Sequence, residues 1–329
     1  MKTTLLLLAP FFLATTLATT GPELVFEPEE GTVLTRSFVA TVDMDLVDYT
    51  ATLDGDELEL NELELKISSV ETIEVTDELV GVEDNRPTEI VRTFDELTQE
   101  ATVTANGEES EQLSTSALEG RSLRFEWDED AEYYTIETAD ENGDLDDETL
   151  EWLEEDMDLR AVLPEDEVEV GDSWEIDEGV YLPLMWPGGL LDFSDEEEEE
   201  EVPDYRRELN QETIENLTGE GEATFENVRE EGGVRVAVIR IDLEIETDAS
   251  ATESEGPADV DHGLDISRRI EGVILWDLDH GHLFSVELEA EVEMTRTRTR
   301  IVETEEVLEL EEEDRFEGEL TYEVFIERE

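Results

Sequence analysis

The amino-acid sequence predicts a mainly β protein. We expect one or more curved antiparallel sheets, forming a half-barrel or a sandwich, with one principal helix at about residues 147–159 packed across them. Apolar and polar residues alternate along most of the 329-residue chain, which is the period of half-buried strands. Only one segment has apolar residues at helical spacing. The chain has no cysteine, so its stability must rest on a buried core.

The first 20 residues are predicted to be a signal peptide. Met1 and Lys2 give a short positive start, and residues 5–18 form an apolar run that is too short to span a bilayer. Cleavage is expected near residues 18–20, and the absence of cysteine excludes a lipid anchor. No later segment predicts a membrane span. The mature protein is therefore expected to be exported, soluble, and either periplasmic or extracellular.

The charge balance is strongly acidic. There are 98 Asp and Glu residues against 20 Lys and Arg residues, a formal net charge of −78. Such self-repulsion is screened at high salt, so the composition indicates adaptation to a salty exterior in which bulk cations solvate the surface. Nucleic-acid binding is excluded because no basic field offsets phosphate repulsion. A disordered acidic chain is disfavoured because the 38% of hydrophobic residues follow strand periods.

The first half of the mature chain, residues 21–160, is predicted to be β-rich and to end in the helix. Its strands are expected at 32–46, 58–67, 70–82 and 88–104, followed by a hairpin at 120–138. Residues 108–116 are polar and are expected to form a loop. The helix is predicted to begin near Asp147, where acidic residues suit the N-terminal dipole, and to end before Pro164.

A corner and an apolar loop are predicted at residues 161–192. Within them, residues 181–191 are apolar but rich in Pro and Gly, so we expect a buried loop or a lid. Residues 193–203 contain a run of like charges and are predicted to be a disordered acidic loop.

The second half, residues 204–329, is again predicted to be β-rich. Strands are expected at 213–228, 234–247, 307–310 and 316–326, and a hairpin at 270–294. The Gly232-Gly233 pair predicts a hairpin turn, and a switch of apolar phase in the strand after it predicts a β-bulge. Residues 248–261 have few apolar side chains and are predicted to be a mobile loop.

An acidic stretch before the helix has the spacing of a twelve-residue calcium loop. The residues at positions 1, 3, 5, 7, 9 and 12 are Asp140, Asn142, Asp144, Asp146, Glu148 and Glu151. Leu145 stands where such loops have Gly, and Asp147 stands where they have an apolar residue. An acidic turn between a strand and a helix is the alternative interpretation.

Two further groups of residues are candidates for ligand binding. An apolar ligand beneath the helix and the 181–191 loop would contact Trp152, Met157, Leu184, Met185 and Trp186, unless these side chains simply fill the core. Arg296, Arg298 and Arg300 alternate with threonine and share one strand face. They could bind an anion, or form a ladder with acidic residues on a neighbouring strand, which we favour.

No residue is assigned a catalytic role. The histidines, His262, His280 and His282, are expected to be exposed turn residues, because zinc would need further ligands from elsewhere. Ser173 lacks the flanking glycines of a nucleophile elbow. A catalytic carboxylate pair cannot be picked out among 98 acidic residues.

One local motif carries a resemblance. Leu163-Pro164 followed by Val168-Glu169-Val170-Gly171-Asp172-Ser173-Trp174 resembles a V-x-V-G-D-S-W pattern of exported bacterial β-rich proteins. The overall plan also resembles the half-barrel of periplasmic lipoprotein carriers, a curved antiparallel sheet with helix on its concave side. The resemblance implies a binding or structural protein of the cell envelope and no transferable functional residues.

Together these observations predict a non-enzymatic exported protein that binds an apolar ligand, a lipid or an envelope protein partner. No cofactor is expected, apart from calcium in the alternative in which residues 140–151 make the chain a calcium-binding envelope module. A hydrolase with a carboxylate pair is the least supported alternative.

Overall fold

One antiparallel sheet dominates the structure, a computed structural model that describes residues 22–59, 63–83, 85–140, 143, 145, 147–194, 204–255, 258–303 and 307–328. The predicted signal peptide and residues 195–203 of the predicted acidic loop lie outside these ranges. The strands are β1 (Val33–Leu53), β2 (Asp56–Glu57), β3 (Leu65–Glu83), β4 (Arg86–Ala105), β5 (Glu108–Ser116), β6 (Ser122–Asp128), β7 (Tyr133–Thr138), β8 (Ser173–Glu175), β9 (Phe193–Ser194), β10 (Thr218–Glu231), β11 (Val234–Glu255), β12 (Ala258–Asp277), β13 (His282–Glu303) and β14 (Val307–Arg328). The α-helices are α1 (Asp147–Leu150), α2 (Tyr181–Met185) and α3 (Asp204–Glu215), and Arg160–Val162 and Glu178–Val180 form single turns of 3-10 helix.

The sheet contains strands from both halves of the chain. Its order is β7-β6-β4-β3-β1-β14-β13-β12-β11-β10-β8, and β1 pairs with both β3 and β14. Among the described strands β7 and β8 stand at opposite ends without pairing, so the sheet is not closed. The mainly β fold class is confirmed.

The sheet is curled around its inner face. Glu71 of β3 and Arg268 of β12 are four strand positions apart, roughly 19 Å along a flat sheet. Burial raises the pKa of Glu71 and lowers that of Arg268 to about 10, and in each case the opposite charge of the other residue counteracts the shift. Glu71 and Leu264, which is on β12 with Arg268, also line one cavity, so β3 and β12 approach each other across the inner face. The inner face is therefore concave, as in a half-barrel.

Alternation divides the strands into an apolar inner face and an acidic outer face. Phe38 of β1, Val286 of β13 and Val324 of β14 are buried on the inner face. On the outer face, carboxylates of adjacent strands oppose each other: Glu319 of β14 stands between Asp43 of β1 and Glu291 of β13. The outer face therefore concentrates part of the chain's negative charge in rows.

The predicted helix at 147–159 is wrong in length, because α1 ends at Leu150. The residues after it, 151–163, cross the inner face of the sheet in an irregular conformation, and we call them the crossing segment. Leu153 and Met157 are buried as expected of the apolar face, but Leu153 forms an isolated β-bridge with Gly189. Backbone groups that a helix would use are bound instead by the cover of the sheet, as the Glu154 amide is by Gly188, or by the Asp156 side chain, as the amides of Asp158 and Arg160 are.

Two predicted loops are strands in the structure. Residues 108–116 form β5, which pairs with β4, and residues 248–255 and 258–261 belong to β11 and β12, which pair out to Glu255 and Ala258. The inward positions in the second region are small residues such as Ala249 and Ala251, which are buried without giving an apolar signal. Low apolar content therefore concealed the strand period.

Two features near the start of the second half also differ from the prediction. Residues 213–215 belong to α3, a polar helix that the sequence pattern does not indicate. The register shift lies in β10, between Phe225 and Asn227, directly opposite the phase switch in β11. That switch reflects a small second apolar cluster on the outer face, where Phe284 packs on Val236, Val238 and Leu275.

The Gly-Asp-Ser-Trp corner connects the crossing segment to the sheet. Its last residues form β8, which pairs with β10, and the Trp174 indole N–H donates to the carbonyl of Val162 at 2.8 Å. No helix within the described residues is long and apolar enough to cross a membrane.

Candidate ligand cavity

A buried ion network fills the space beneath the crossing segment. Asp77 of β3 accepts from Arg36 of β1 at 2.6 Å and from Arg92 of β4 at 2.8 and 2.9 Å. All three side chains are almost fully buried. Burial alone would raise the pKa of Asp77, but the guanidiniums of Arg92 and Arg36 outweigh it and hold the pKa below its usual range.

The network also fixes the crossing segment to the sheet. Arg36 donates to the Asp158 carboxylate at 2.7 Å, and Arg92 donates to the carbonyl oxygens of Glu154 at 2.9 Å and Glu155 at 2.8 Å. Both arginines therefore bind a strand residue and the segment above it. The predicted ligand space beneath a helix is occupied by these charged groups.

One carboxyl group in the crossing segment makes stability depend on pH. Burial raises the pKa of Glu154 to about 7, and the carboxylates of Asp156 and Glu155 add to the rise against Arg92. The folded chain therefore holds a proton that the unfolded chain, with a pKa near 4.5, has already released, and stability falls as pH rises through this window.

Replacing Glu154 with glutamine should therefore stabilise the protein by about 2–3 kcal/mol at about pH 8, and by far less at about pH 5. Urea unfolding of both proteins at the two pH values in the same salt measures the difference. Glu151→Gln, which removes an exposed carboxyl from the same segment, is the matched control. An equal gain for Glu154→Gln at both pH values would contradict the prediction.

A cavity of about 890 Å³ lies beside this network, between the inner face of the sheet and two covering elements. Its floor spans six neighbouring strands, from β4 to β12 in sheet order. Its cover consists of residues 186–193, which we call the cover segment, and the N-terminal half of α3. The volume is within the range of sites for drug-sized ligands.

The cover segment is fixed at both ends. The amide of Glu154 donates to the carbonyl of Gly188 at 2.9 Å, and that of Leu190 donates to the carbonyl of Trp152 at 3.0 Å. Gly189 has φ +91°, and a Cβ there would collide with the Trp152 carbonyl oxygen, so only glycine allows this approach. At the other end, β9 pairs with β5.

The helix α3 is held by its C-terminal half and faces the cavity with its N-terminal half. Ser250 of β11 donates its amide to the Glu212 carboxylate at 2.8 Å, and Thr247 donates its hydroxyl to the carbonyl of Thr213 at 2.6 Å. At the other end Tyr205 stacks on His262 of β12, with ring centroids 4.2 Å apart. The helix therefore closes one side of the cavity.

The cavity lining combines apolar side chains with charged groups of both signs, and its carboxylates are those of Glu71, Asp192, Glu312 and Asp314. Apolar side chains come from the cover, with Trp186, Leu190, Leu191, Phe193 and Leu209, and from the floor, with Leu65, Ile73, Leu264 and Met294. The cationic ones are Arg206 of α3 and Arg296 and Arg298 of β13, which are three of the chain's 20 basic residues. Such a lining suits a ligand with an apolar body and a charged end.

The β13 arginines are partly neutralised by acidic residues of β14. Arg296 donates to Asp314 at 3.0 Å, and its guanidinium lies over the Phe316 ring, 4.7 Å from the centroid. Its side chain nevertheless remains 43% exposed. Arg298 stands opposite Glu312, and Arg300, one pair further along, stands opposite Leu310. Arg296 and Asp314 therefore form one rung of a charge ladder between β13 and β14.

The residues predicted to bind an apolar ligand lie in different places in the structure. Trp186 lines the cavity, whereas Met157, Leu184 and Met185 are buried in the core. Trp152 lies half-buried and holds the cover segment through its carbonyl.

The predicted calcium residues are only partly described. Asp140 accepts from the Arg121 guanidinium at 2.9 Å and from the amide of Ser122 at 2.9 Å, and Glu151 is exposed. Asn142, Asp144 and Asp146 lie outside the described residues, as does the side chain of Glu148. The calcium loop stays a prediction.

Several charged residues of the site could have been noticed in the sequence, because they interrupt the apolar face of a strand. Arg36, Asp77 and Arg92 each stand at the inward position of an apolar strand, between pairs such as Leu34 and Phe38. Glu71 follows the same pattern and accepts from Gln99 at 3.0 Å at the cavity floor. A charged residue in an inward phase thus indicates a buried polar cluster.

Comparison with known proteins finds similar solved structures but no matching family. No protein-family model and no curated protein matches the chain. Among solved structures it is similar to an outer membrane channel from Pseudomonas putida F1, with 10% identity and a TM-score of 0.21 over 92% of this chain and 98% of that one. It is also similar to Pseudomonas aeruginosa OccK2 (OpdF) in complex with glucuronate, with 7% identity and a TM-score of 0.15 over 90% and 98% of the two chains. Function must therefore be argued from the cavity.

Proposed function

We propose that this protein is a non-enzymatic binding protein of the cell envelope or exterior that holds an amphipathic anion in the cavity. The apolar body of the ligand lies against the cover segment, and its anionic end lies at Arg296 and Arg298. The observation that carries the proposal is the cavity of about 890 Å³, whose cover segment is mostly apolar and whose β13 floor carries Arg296 and Arg298.

The apolar part of the proposal rests on the cover. Trp186, Leu190 and Phe193 are only partly buried although they pack around the cavity. Burying apolar surface contributes about 25 cal/mol per Å², so an alkyl chain placed against these side chains would bind favourably. High salt would strengthen this contact, as suits a protein adapted to it.

The anionic part rests on where the cations lie. The inner face of β13 changes from apolar to cationic after Met294, at the position where the cavity opens. A net charge of −78 repels anions from the surface, so a local group of arginines is needed to bind one. Their guanidiniums form two parallel hydrogen bonds with a carboxylate or phosphate.

Binding is measured with a fluorescent dansyl-labelled long-chain fatty acid, displaced by unlabelled dodecanoate, dodecanol or dodecylammonium. We expect dodecanoate to compete best and dodecylammonium worst. Arg298→Gln should weaken dodecanoate about tenfold and leave dodecanol unchanged, because it removes one charged hydrogen-bond donor. Leu209→Gln should weaken both.

The matched control is Arg269→Gln, which removes an exposed arginine from the outer face of β12. It should bind like the unmodified protein. Equal binding of all three alkyl probes would contradict the anionic end of the proposal, and no saturable binding of any probe would contradict the cavity as a ligand site.

A further inference from the structure

The turn between β12 and β13 brings together a carboxylate and two imidazoles. Asp277 ends β12, His282 begins β13, and His280 lies in the turn between them. One ligand atom from each of the three side chains lies within 4.8 Å of the other two. The expectation that the histidines are exposed turn residues is wrong for His282, which is 3% exposed, and for His262, which lies within β12 and stacks on Tyr205. Asp277 is also buried.

The hydrogen bonds of His282 prepare one ring nitrogen for a ligand. Its Nδ1 lies 2.6 Å from the carbonyl oxygen of Leu283. A carbonyl only accepts, so Nδ1 carries the proton and Nε2 has the free lone pair of the neutral ring. This Nε2 is buried and has no hydrogen-bond partner among the described residues. Metal-binding histidines have the same arrangement, in which one ring nitrogen binds the metal and the other donates to a backbone carbonyl oxygen.

His280 and Asp277 are also held in place. The carboxylate of Asp277 accepts from the amides of Asp279 at 2.8 Å and His280 at 3.0 Å, and its second oxygen lies 2.7 Å from His280 Nδ1. The two imidazole rings are nearly parallel, with centroids 6.1 Å apart. His280 is 35% exposed, which leaves an entry path for an ion.

The turn itself is fixed by neighbouring elements. Arg235 of β11 donates its side chain and its amide to the Asp279 carboxylate, both at 2.8 Å. The amide of Glu27 donates to the carbonyl of Gly281 at 2.8 Å. Gly281 has φ +68°, and a Cβ there would lie 2.8 Å from the Glu27 backbone. The three side chains therefore project from a rigid support.

We propose that Asp277, His280 and His282 bind a divalent first-row transition metal ion, of which Zn²⁺ is representative. Imidazole nitrogen with one carboxylate is the donor set that favours such ions over Ca²⁺ and Mg²⁺. The ion takes the place of the proton shared by His280 and Asp277, and water completes the coordination. The site is separate from the cavity, so it stands or fails independently of the proposed ligand.

The test is a Zn²⁺ titration by calorimetry, in molar KCl with excess Ca²⁺ and Mg²⁺ to saturate the surface carboxylates. The unmodified protein should bind about one equivalent of Zn²⁺ tightly under these conditions. His280→Gln should weaken binding by about tenfold or more, and His262→Gln, the matched control, should not. His280 is chosen because its exposed side chain contributes little to the core.

A Co²⁺ titration gives a second readout, since its visible absorption reports nitrogen ligation and geometry. The spectrum should appear in the unmodified protein and in His262→Gln, and disappear in Asp277→Asn. Zn²⁺ binding that excess Ca²⁺ abolishes, or equal Zn²⁺ affinity in His280→Gln and the unmodified protein, would overturn the proposal.

Discussion

Replacing Asp77 with asparagine should reduce the free energy of unfolding by about 3–5 kcal/mol, which is a large part of a typical total. The substitution keeps the size of the side chain and removes its charge. It leaves two almost fully buried guanidiniums facing an uncharged amide, of which Arg36 keeps the Asp158 carboxylate and Arg92 keeps the carbonyl oxygens of the crossing segment. Breaking a buried ion pair by removing one partner is costly because the remaining charge has lost its water and its counter-charge.

Urea unfolding at fixed salt measures the effect, and Asp95→Asn is the matched control. Asp95 lies on β4 close to the same strands, but it is exposed and accepts from the uncharged Thr76 hydroxyl at 2.7 Å. A loss below about 1 kcal/mol for Asp77→Asn would show that the network contributes little, as exposed ion pairs do.

The same residue contributes to the loss of stability at acid pH. The pKa of Asp77 is below its ordinary value of 3.8 in the folded chain. Its contribution is therefore fully present above pH 3.8 and is lost as pH falls through the lower, folded value. In Asp77→Asn the acid arm of the stability profile should become flatter.

Salt should change stability by several kcal/mol, because like charges oppose each other across the outer face. Each opposed pair costs roughly 0.2–1 kcal/mol, and the repulsion is screened as the Debye length shrinks from ~10 Å at 0.1 M to ~3 Å at 1 M. Arg315 contacts Glu293 and Glu317 and relieves part of the repulsion there. Glu319 lies between the carboxylates of Asp43 and Glu291, so a substitution there tests the repulsion most directly.

We expect Glu319→Gln to stabilise the protein by about 1 kcal/mol at 0.1 M KCl and by almost nothing at 2 M. Glu327→Gln is the matched control, because Glu327 lies on the same strand and face but stands opposite Thr35. Thermal unfolding at both salt concentrations gives the comparison. A gain of the same size at 2 M KCl would mean that charge repulsion is not its cause.

Much of the sheet could be predicted from the sequence because its central strands are apolar on one face only. In β1 and β13 the inner positions, from Phe38 to Met44 and from Val286 to Val292, alternate with polar ones. The end of the β11–β12 hairpin near its turn could not be recognised as strand. The alanines at positions 249 and 251 are buried there, but they are too small to show which face of the strand is apolar. The two-residue alternation of a strand can be seen in a sequence only where its buried positions hold large apolar side chains.

The site was less predictable because it depends on contacts between distant segments. Leu150, Leu153 and Met157 have helical spacing, yet Arg92 binds the carbonyl oxygens of residues 154 and 155 and the backbone leaves the helix. The cavity needs α3, which has few apolar residues, to lie over β12. Neither the path of the crossing segment nor the position of α3 produces a recognisable pattern in the local sequence. The β13 arginines were identified because they alternate along one strand.

The position of a bound ligand tests the proposed function most directly. A crystal structure with dodecanoate brominated at its terminal carbon would locate both ends of the molecule. We predict the bromine against Trp186, Leu190 and Leu191 of the cover segment, and the carboxylate at the guanidiniums of Arg296 and Arg298. Bromine on the outer face of the sheet, or a carboxylate away from β13 with the alkyl chain outside the cavity, would contradict the proposal.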